Sequence, residues 1–269
     1  MTVLERGLEG EELARRPHLA EALLLGAEDE LPAPPEALRG HLDPRSRRRL
    51  LRPDALQHKF PGDRPCQTAA VREILPGVHH WTTVHARWGI TIHSYWLAAE
   101  RVLIDPRVPV EGLEWFEGQP PVAILLTNRH HYRDSGAYHE RFGCPVLCNR
   151  LGLHEFRHGE PVEGFDPGDE LPGGVVALEV GGICPDETAL HATAHRAVAI
   201  ADGLVRFPDD GPLRFVVDAL MDDPDRTKAE LRAAYRRIAE IDFDALLLAH
   251  GDPIVSGGRE ALRDFAGAA

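Results

Sequence analysis

The chain has 269 residues, of which 43% are hydrophobic, so it is long enough to bury a large core in one domain or in one domain with an appendage. Its 43 acidic residues outnumber its 30 basic residues, and the formal net charge of -13 argues against a nucleic-acid backbone or an anionic membrane surface as the main partner. No apolar run is long enough to span a bilayer, and acids stand where a signal peptide has basic residues, so we expect a cytoplasmic protein.

The first seventy residues predict a helical extension, residues 1–70, ahead of a domain formed by residues 71–269. Leucines at helical spacing in residues 17–26 indicate a short amphipathic helix, and the prolines that follow bring it to an end. Asp43 and Pro44 have the residue types that cap and begin a further helix. The arginines of that helix indicate either a solvated face or a patch that binds an anion or a partner.

From Val71 the sequence changes to short apolar runs separated by turn residues. Four runs predict the strands of a largely antiparallel sheet, at 71–75, 78–84, 90–98 and 102–104. Four histidines lie in or beside these runs: His79, His80, His85 and His93. Because neighbouring side chains on a strand point to opposite faces, we interpret these histidines as surface or packing residues rather than as one set of metal ligands.

The most polar turn of the chain follows a short apolar run at 122–126, which predicts a buried strand. After Thr127 the sequence continues with Asn-Arg-His-His-Tyr-Arg and reaches Asp134. Ligands tend to bind at the carboxyl ends of strands in open α/β sheets, so this turn is a candidate functional site. Residues 137–142 and 144–148 then predict a helix and another strand.

Two later apolar runs lead to residues of the same chemistry. The run at 198–205 contains Asp202 in front of a glycine, and the run at 245–249 is followed directly by His250. Together with His130 from the polar turn, these residues form a His-Asp-His set. Such a set suits zinc, manganese or iron if neighbouring loops bring the three side chains together.

Residues 71–269 resemble the metallo-β-lactamase superfamily of hydrolases. Four stretches carry the resemblance, in the order expected of the family: Val102-Leu-Ile-Asp-Pro106, Ile124-Leu-Leu-Thr127, Ala201-Asp-Gly-Leu204 and Leu248-Ala-His-Gly-Asp-Pro253. The resemblance implies an α+β fold, a four-layer αββα sandwich of two mixed sheets flanked by helices. The N-terminal helical extension lies outside the resemblance.

The metal motifs of that family are only partly retained. The first motif is His-x-His-x-Asp-His, and its four ligand positions fall here on Asn128, His130, Tyr132 and Arg133. Ile183 stands where the family has a third histidine, whereas Asp202 retains the bridging aspartate and His250 the last histidine. The resemblance therefore implies His130, Asp202 and His250 as the remaining metal ligands, with Asp202 also as the catalytic proton acceptor. We expect no two-metal site of the family type.

Two arrangements of this reduced site stay open. In the first, the three ligands hold one divalent metal (zinc, manganese or iron) that keeps open positions for water. In the second, no metal binds, and the guanidinium of Arg133 takes the vacated position and pairs with Asp202, because a buried carboxylate needs a cationic partner. Further candidates for substrate binding or for support of the ligands are Asp105, Arg129, His131, Tyr132, Arg133 and Asp134.

Two functions are compatible with these patterns. The first is a hydrolase in which a metal-bound water attacks a small ester, thioester, lactone or phosphoester. The second is a catalytically inactive binding or regulatory protein on the same fold, with a pocket suited to a small anion and lined by Arg129, His131, Tyr132 and Arg133. In both, the partner is a small molecule rather than a nucleic acid or a membrane, and a homodimer is compatible with the sequence. Fold analogy alone does not choose between them.

Overall fold

The computed structural model describes residues 69–85 and 89–268. The helical extension predicted for residues 1–70 lies outside the described residues, except that Ala69 and Ala70 begin the first strand instead of belonging to a helix. The division between an extension and a domain therefore stays a prediction. No helix in the described ranges is long and apolar enough to cross a membrane.

The first sheet has seven strands in sequence order, antiparallel from β1 to β4 and parallel from β4 to β7. Its strands are β1 (Ala69–Leu75), β2 (Val78–Val84), β3 (Thr91–Leu97), β4 (Val102–Ile104), β5 (Ala123–Leu125), β6 (Val146–Asn149) and β7 (Val162–Phe165). The four strands predicted before Asp105 are all present. They are antiparallel to one another, as predicted, and the sheet as a whole is mixed because later strands join its β4 edge in parallel.

The second sheet has five strands in the order β14-β11-β10-β9-β8, and it is also mixed, with β11 and β14 parallel. Its strands are β8 (Glu170–Leu171), β9 (Val175–Glu179), β10 (Thr188–Ala192), β11 (Ala197–Ile200) and β14 (Ala245–Leu248). A separate antiparallel pair consists of β12 (Leu204–Arg206) and β13 (Leu213–Phe215). The run at 198–205 is thus two strands, and Asp202 lies in the turn between them.

Three buried clusters fill the spaces between four layers. One lies between the sheets and takes residues from both, including Leu97, Leu125 and Leu247. A second packs the other face of the second sheet against helices α2 (Pro224–Ile238) and α3 (Gly258–Gly267). A third covers the first sheet with aromatic residues of helix α1 (Ser135–Phe142) and of a 3-10 helix at Leu113–Phe116. The described residues therefore have the predicted order of helices, sheet, sheet and helices.

The histidines of β2 and β3 are mostly packing residues. His80, His85 and His93 are buried, and Nε2 of His80 lies 2.8 Å from Nδ1 of His93. His79 is half-buried. Burial lowers the pKa of His80 to about 3 and that of His93 well below its usual value. The packing interpretation fits these contacts, and the surface interpretation does not.

The carboxyl ends of β4, β5, β11 and β14 lie where the two sheets meet. Each pair, β4 with β5 and β11 with β14, is parallel, so both members of a pair end at the same edge. The backbone N–H of Thr188 donates to the carbonyl of Thr127 at 2.8 Å and joins the second sheet to the end of β5. The hydroxyl of Tyr95 donates to the carbonyl of Leu248 at 2.7 Å and joins β3 to β14. Polar residues that follow these four strands therefore converge.

Candidate metal centre

A capped turn presents the side chains that follow β5. Asn128 is the N-cap of a 3-10 helix, Arg129–His131, and its side-chain oxygen accepts a hydrogen bond from the backbone N–H of His130 at 2.9 Å. This is the usual role of an asparagine at a helix N-terminus. The tight turn directs His131 into the protein, where it is 3% exposed, and leaves His130 half-buried.

The imidazole of His131 lies between two buried carboxylates. Its Nδ1 is 3.0 Å from Oδ2 of Asp105, and its Nε2 is 3.1 Å from Oδ1 of Asp202. Asp105 is held in turn by Thr127, whose hydroxyl donates to Oδ2 at 2.5 Å and whose backbone N–H donates to Oδ1 at 2.9 Å. The ring of His131 is therefore fixed at both nitrogens.

His250 approaches the same carboxylate from the end of β14. Its Nε2 is 3.2 Å from Oδ1 of Asp202, and its Nδ1 is 3.1 Å from the backbone carbonyl oxygen of Thr91. The other oxygen of Asp202, Oδ2, accepts a hydrogen bond from the side-chain amide of Asn128 at 2.7 Å. Asp202 thus directs one oxygen at two imidazole Nε2 atoms and has the other engaged by an amide.

The partners of the two Nδ1 atoms determine which nitrogen of each ring carries the hydrogen. A backbone carbonyl and a carboxylate only accept hydrogen bonds, so Nδ1 of His250 and Nδ1 of His131 carry the hydrogens of those contacts. In neutral rings, both Nε2 atoms then direct a lone pair at Oδ1 of Asp202. This arrangement of lone pairs is stable only with positive charge at its centre, supplied either by added protons or by a metal ion.

The electrostatics of the metal-free site favour the added proton on His131. Burial by itself lowers the pKa of His131, but attraction to Asp202 and Asp105 outweighs burial and raises it to about 9. Burial opposes ionisation of Asp202, yet His131 and His250 hold its pKa well below the usual range. The pKa of Asp105 is lowered for a similar reason, by His131 and Arg133 against the effect of burial.

His131, Asp202 and His250 are the one group of three or more potential metal ligands found in the part of the chain that the structure describes. One ligand atom from each lies within 4.8 Å of the others, and all three residues are buried. The sequence-based ligand set contained His130 in place of His131, so the structure corrects one member of the set. The reason is the 3-10 turn, which points adjacent side chains in different directions.

His130 is not a member of this group. Burial and the nearby charge of Arg129 lower the pKa of His130 to about 3, so its ring is neutral at physiological pH. Its backbone N–H is held by Asn128, but its ring makes no hydrogen bond or ion pair with the residues that the structure describes. His130 is therefore a neighbour of the centre rather than one of the converging groups.

Arg133 does not form the ion pair with Asp202 that the metal-free arrangement predicted. Its backbone is in the left-handed region, with φ of 47°, and its Nη1 donates to the carbonyl oxygens of His93 and Asp105, each at 2.7 Å. The oxygens of Asp202 are already engaged by Asn128 and the two histidines. The guanidinium thus ties the turn to β3 and to the end of β4, and its positive charge lowers the pKa of Asp105.

The other predicted substrate-binding residues make structural contacts. The guanidinium of Arg129 pairs with buried Asp186, which also accepts from the backbone N–H of Arg129 at 2.7 Å. The carboxylate of Asp134 accepts from Arg107 at 2.9 Å and from the backbone N–H of Val108 at 2.7 Å. The ring of Tyr132 packs against Phe156, with a centroid distance of 5.7 Å. Arg129 and Asp134 are thus engaged with other protein groups, and the anion pocket stays a prediction.

Two contributors to the centre were not predicted in those roles. Asn128 was interpreted as a lost ligand, yet its amide holds both Asp202 and the turn. Asparagine is one of the residue types preferred at N-caps, so the sequence contained that signal. Thr91 contributes through its backbone carbonyl, which no side-chain pattern reveals.

Comparison with solved structures shows what fold this is. A metallo-β-lactamase from Pontibacter korlensis matches 76% of this chain and 100% of its own length, with 16% identity and a TM-score of 0.56. The chain has the metallo-β-lactamase fold. The metallo-β-lactamase FIM-1 from Pseudomonas aeruginosa, solved in a mono-zinc form, matches 74% of this chain and 96% of its own at 13% identity, with a TM-score of 0.56. TTHA1623, solved in a di-iron-bound form, matches 64% of this chain and 93% of its own at 23% identity, with a TM-score of 0.51.

The resemblance noted in the sequence is thus confirmed as a divergent example of the metallo-β-lactamase fold. Protein-family models and curated protein sequences gave no match. Identities of this size show the fold alone, and function depends on the residues of the site. Those residues could bind one metal, because they supply one group of three nitrogen and oxygen ligands in the described part of the chain.

Proposed function

We propose that this protein is a hydrolase that uses a single divalent metal held by His131, Asp202 and His250, and that its substrate is a small ester, thioester, lactone or phosphoester. One observation carries the proposal. Both Nε2 atoms converge on Oδ1 of Asp202, while both Nδ1 atoms are anchored by acceptors behind them. Metal-binding histidines in proteins almost always have their second nitrogen held in this way.

Two of the three separations between ligand atoms suit a single metal, and all three atoms lie within 4.8 Å of one another. Two ligands of a tetrahedral zinc ion with bonds of about 2.0 Å are separated by about 3.3 Å. The corresponding separations here are 3.1 Å from His131 and 3.2 Å from His250 to the oxygen of Asp202. The ligand types suit zinc, manganese or iron. Mono-zinc FIM-1 and di-iron TTHA1623 share the fold, which adds support for zinc or iron.

Each residue of the centre has a separate task in this proposal. A bound metal supplies Lewis acidity and lowers the pKa of a coordinated water. Asp105 keeps the hydrogen of His131 on Nδ1, and the carbonyl of Thr91 does the same for His250, so both Nε2 lone pairs are available. The amide of Asn128 holds Oδ2 of Asp202 and leaves Oδ1 as the ligand atom. The low pKa of Asp202 suits a ligand better than a proton acceptor, so we assign it the ligand role only.

Metal analysis of matched variants tests the proposal. Tag-free protein is exposed to zinc, manganese and iron in turn, dialysed, and analysed for metal content. We expect one equivalent of metal in the wild type and in His130→Ala, and a loss of metal in His131→Ala, Asp202→Ala and His250→Ala. Metal-loaded protein is then assayed with a panel of small esters, thioesters, lactones and phosphoesters. A wild type without stoichiometric metal refutes the proposal, as does a loss of metal in His130→Ala with retention in His131→Ala.

A metal-free binding protein is the second candidate, and the charge balance of the site favours it. In the metal-free state, protonated His131 and Arg133 match the charges of Asp105 and Asp202, so the buried centre is neutral without a metal. This candidate predicts that metals leave the melting temperature unchanged and that no hydrolysis is detected with any substrate of the panel. The same metal analysis therefore distinguishes the two functions.

A further inference from the structure

A buried carboxylic acid lies behind the proposed metal ligand Asp202. Glu187 is 1% exposed and directly precedes β10. Its Oε1 accepts a hydrogen bond of 2.9 Å from the backbone N–H of Gly203, the residue that follows Asp202. Its Oε2 is buried and has no hydrogen-bond partner. The only polar contact of this side chain within the described residues is thus with the turn that carries Asp202.

The same turn is also closely packed against helix α2. A Cβ placed on Gly203 would lie 2.5 Å from the hydroxyl oxygen of Tyr235, 2.7 Å from Cδ2 of Leu231 and 2.8 Å from Oε1 of Glu187. A side chain at this position would require these neighbours to shift. Helix α2 and Glu187 therefore confine the peptide after Asp202, and a shift of that peptide would move the carboxylate with it.

The backbone of Glu187 is itself fixed. Its carbonyl accepts from the N–H groups of Val180 and Gly181 at 3.3 and 3.0 Å, and its own N–H donates to the carbonyl of Cys184 at 3.1 Å. The carboxyl group is thus a rigidly supported acceptor. Burial, with repulsion from Asp202 as the next cause, raises the pKa of Glu187 to about 8, so the group is uncharged at neutral pH. It can hold the turn without placing a second negative charge beside Asp202.

We infer that Glu187 is a positioning residue for Asp202: by accepting the N–H of Gly203 it sets the point at which Oδ1 of Asp202 meets the two histidines. This inference rests on the proposed function, because its main consequence is the affinity and geometry of the metal site. Glu187 does not touch the ligand atoms. It acts through the backbone, in the way that residues behind metal ligands usually orient them.

Two substitutions of similar size separate this role from simple packing. Glu187→Met fills the same space without an acceptor, whereas Glu187→Gln keeps an oxygen that can accept from Gly203. Affinity for zinc is measured by competition with a chelator, and the ligand geometry is read from the visible absorption of cobalt-loaded protein. We expect zinc to bind about 10- to 100-fold more weakly to Glu187→Met, with an altered cobalt spectrum, and Glu187→Gln to retain both properties.

The outcomes distinguish the inference from the proposed function. If wild type and Glu187→Met bind metal equally with the same cobalt spectrum, the inference is refuted and the proposed function stands. Equal losses in both variants also refute it, because the acceptor would then not be the relevant feature.

If the wild type binds no metal, the proposed function fails and a second readout decides the role of Glu187. In metal-free protein, the proton on Nε2 of His131 reports the bond to Asp202 in a downfield NMR signal. A changed signal in Glu187→Met, with a retained signal in Glu187→Gln, supports the positioning role. An unchanged signal in Glu187→Met refutes it.

Discussion

Replacing Asp105 by asparagine should disable the proposed metal centre while preserving the shape of the site. Asp105 accepts two hydrogen bonds from Thr127, at 2.9 Å and 2.5 Å, and one from Nδ1 of His131 at 3.0 Å. The backbone N–H of Thr127 is a fixed donor, so it selects the amide oxygen of the new asparagine. The amide nitrogen then faces Nδ1 of His131 and donates to it.

This substitution therefore favours the wrong tautomer of His131, because the amide nitrogen donates toward Nδ1, and the hydroxyl of Thr127, which lies 2.8 Å from the same nitrogen and no longer donates to a carboxylate, can donate to it as well. With a donor opposite Nδ1, the hydrogen of the neutral ring moves to Nε2, and the lone pair needed for a metal bond is lost. Removal of a carboxylate behind a metal-binding histidine weakens metal affinity by about 10- to 100-fold, which corresponds to about 1.4 to 2.7 kcal/mol. The metal-free protein also loses a hydrogen bond between charged groups, so its free energy of unfolding should fall by about 1.5–3 kcal/mol.

Zinc competition and urea denaturation measure these two effects separately. Asp134→Asn is the matched control, since Asp134 makes the same kind of contact with Arg107 and Val108 but does not touch the centre. It should retain the zinc affinity of the wild type. The tautomer explanation is refuted if Asp105→Asn binds zinc as tightly as the wild type, or if the control loses affinity to the same extent.

Three further predictions follow from the charges described above. The pKa of His131 is about 9, and a metal must displace the proton on its Nε2, so zinc affinity should fall about tenfold for each pH unit below 9. Calorimetry in buffers of different ionisation enthalpy should detect the release of about one proton on zinc binding. Zinc binding without proton release would contradict this prediction. The pKa of Glu187 is raised from 4.5 to about 8, so its neutral form stabilises the fold at low pH and that contribution is lost as pH rises through 8. In urea titrations of metal-free protein, the free energy of unfolding of the wild type relative to Glu187→Gln should decrease by about 1.4 kcal/mol per pH unit between roughly pH 5 and 8, and a constant difference would contradict the assignment. Asp186→Asn removes the buried partner of Arg129 and should lower the free energy of unfolding by about 3–5 kcal/mol, whereas Asp242→Asn, in an exposed ion pair, should change it by less than about 1 kcal/mol; equal effects would contradict the difference in burial.

The sequence was sufficient to predict the fold and two of the three converging residues. Asp202 lies within one apolar run and His250 follows another directly, and residues at the carboxyl ends of neighbouring strands meet at one edge of a sheet. Asp105 was a candidate through the resemblance of the stretch 102–106 to a family strand that ends in an aspartate. The two mixed sheets and the helices on their outer faces also agree with the pattern of strands and helices.

The choice between His130 and His131 could not be made from spacing. Adjacent residues of a 3-10 turn point about 120° apart, so one histidine faces in when the other faces out. Which one does so depends on the local cap made by Asn128 and on the attraction of Asp105, and the second of these is a tertiary contact between residues 26 positions apart. Alignment with the family motif favours His130, because the alignment assumes that the turn directs the same positions inward as in a site that has all its ligands.

The contacts of Arg133 also could not be predicted from the sequence. A cation beside a vacated ligand position suggests an ion pair with the remaining carboxylate. Here Arg133 bonds instead to two backbone carbonyls, which carry no sequence signal. The sequence thus indicated a cation near the site but not which groups that cation contacts.

The two histidines that face Asp202 have unequal supports, with a chemical consequence for any ion that they bind. His131 is backed by the carboxylate of Asp105, and His250 by the uncharged carbonyl of Thr91. An anionic acceptor increases the electron-donating power of an imidazole more than a neutral one does. If these residues held a metal, His131 would therefore be the stronger donor and His250 the weaker one, so the two histidines would not be equivalent ligands.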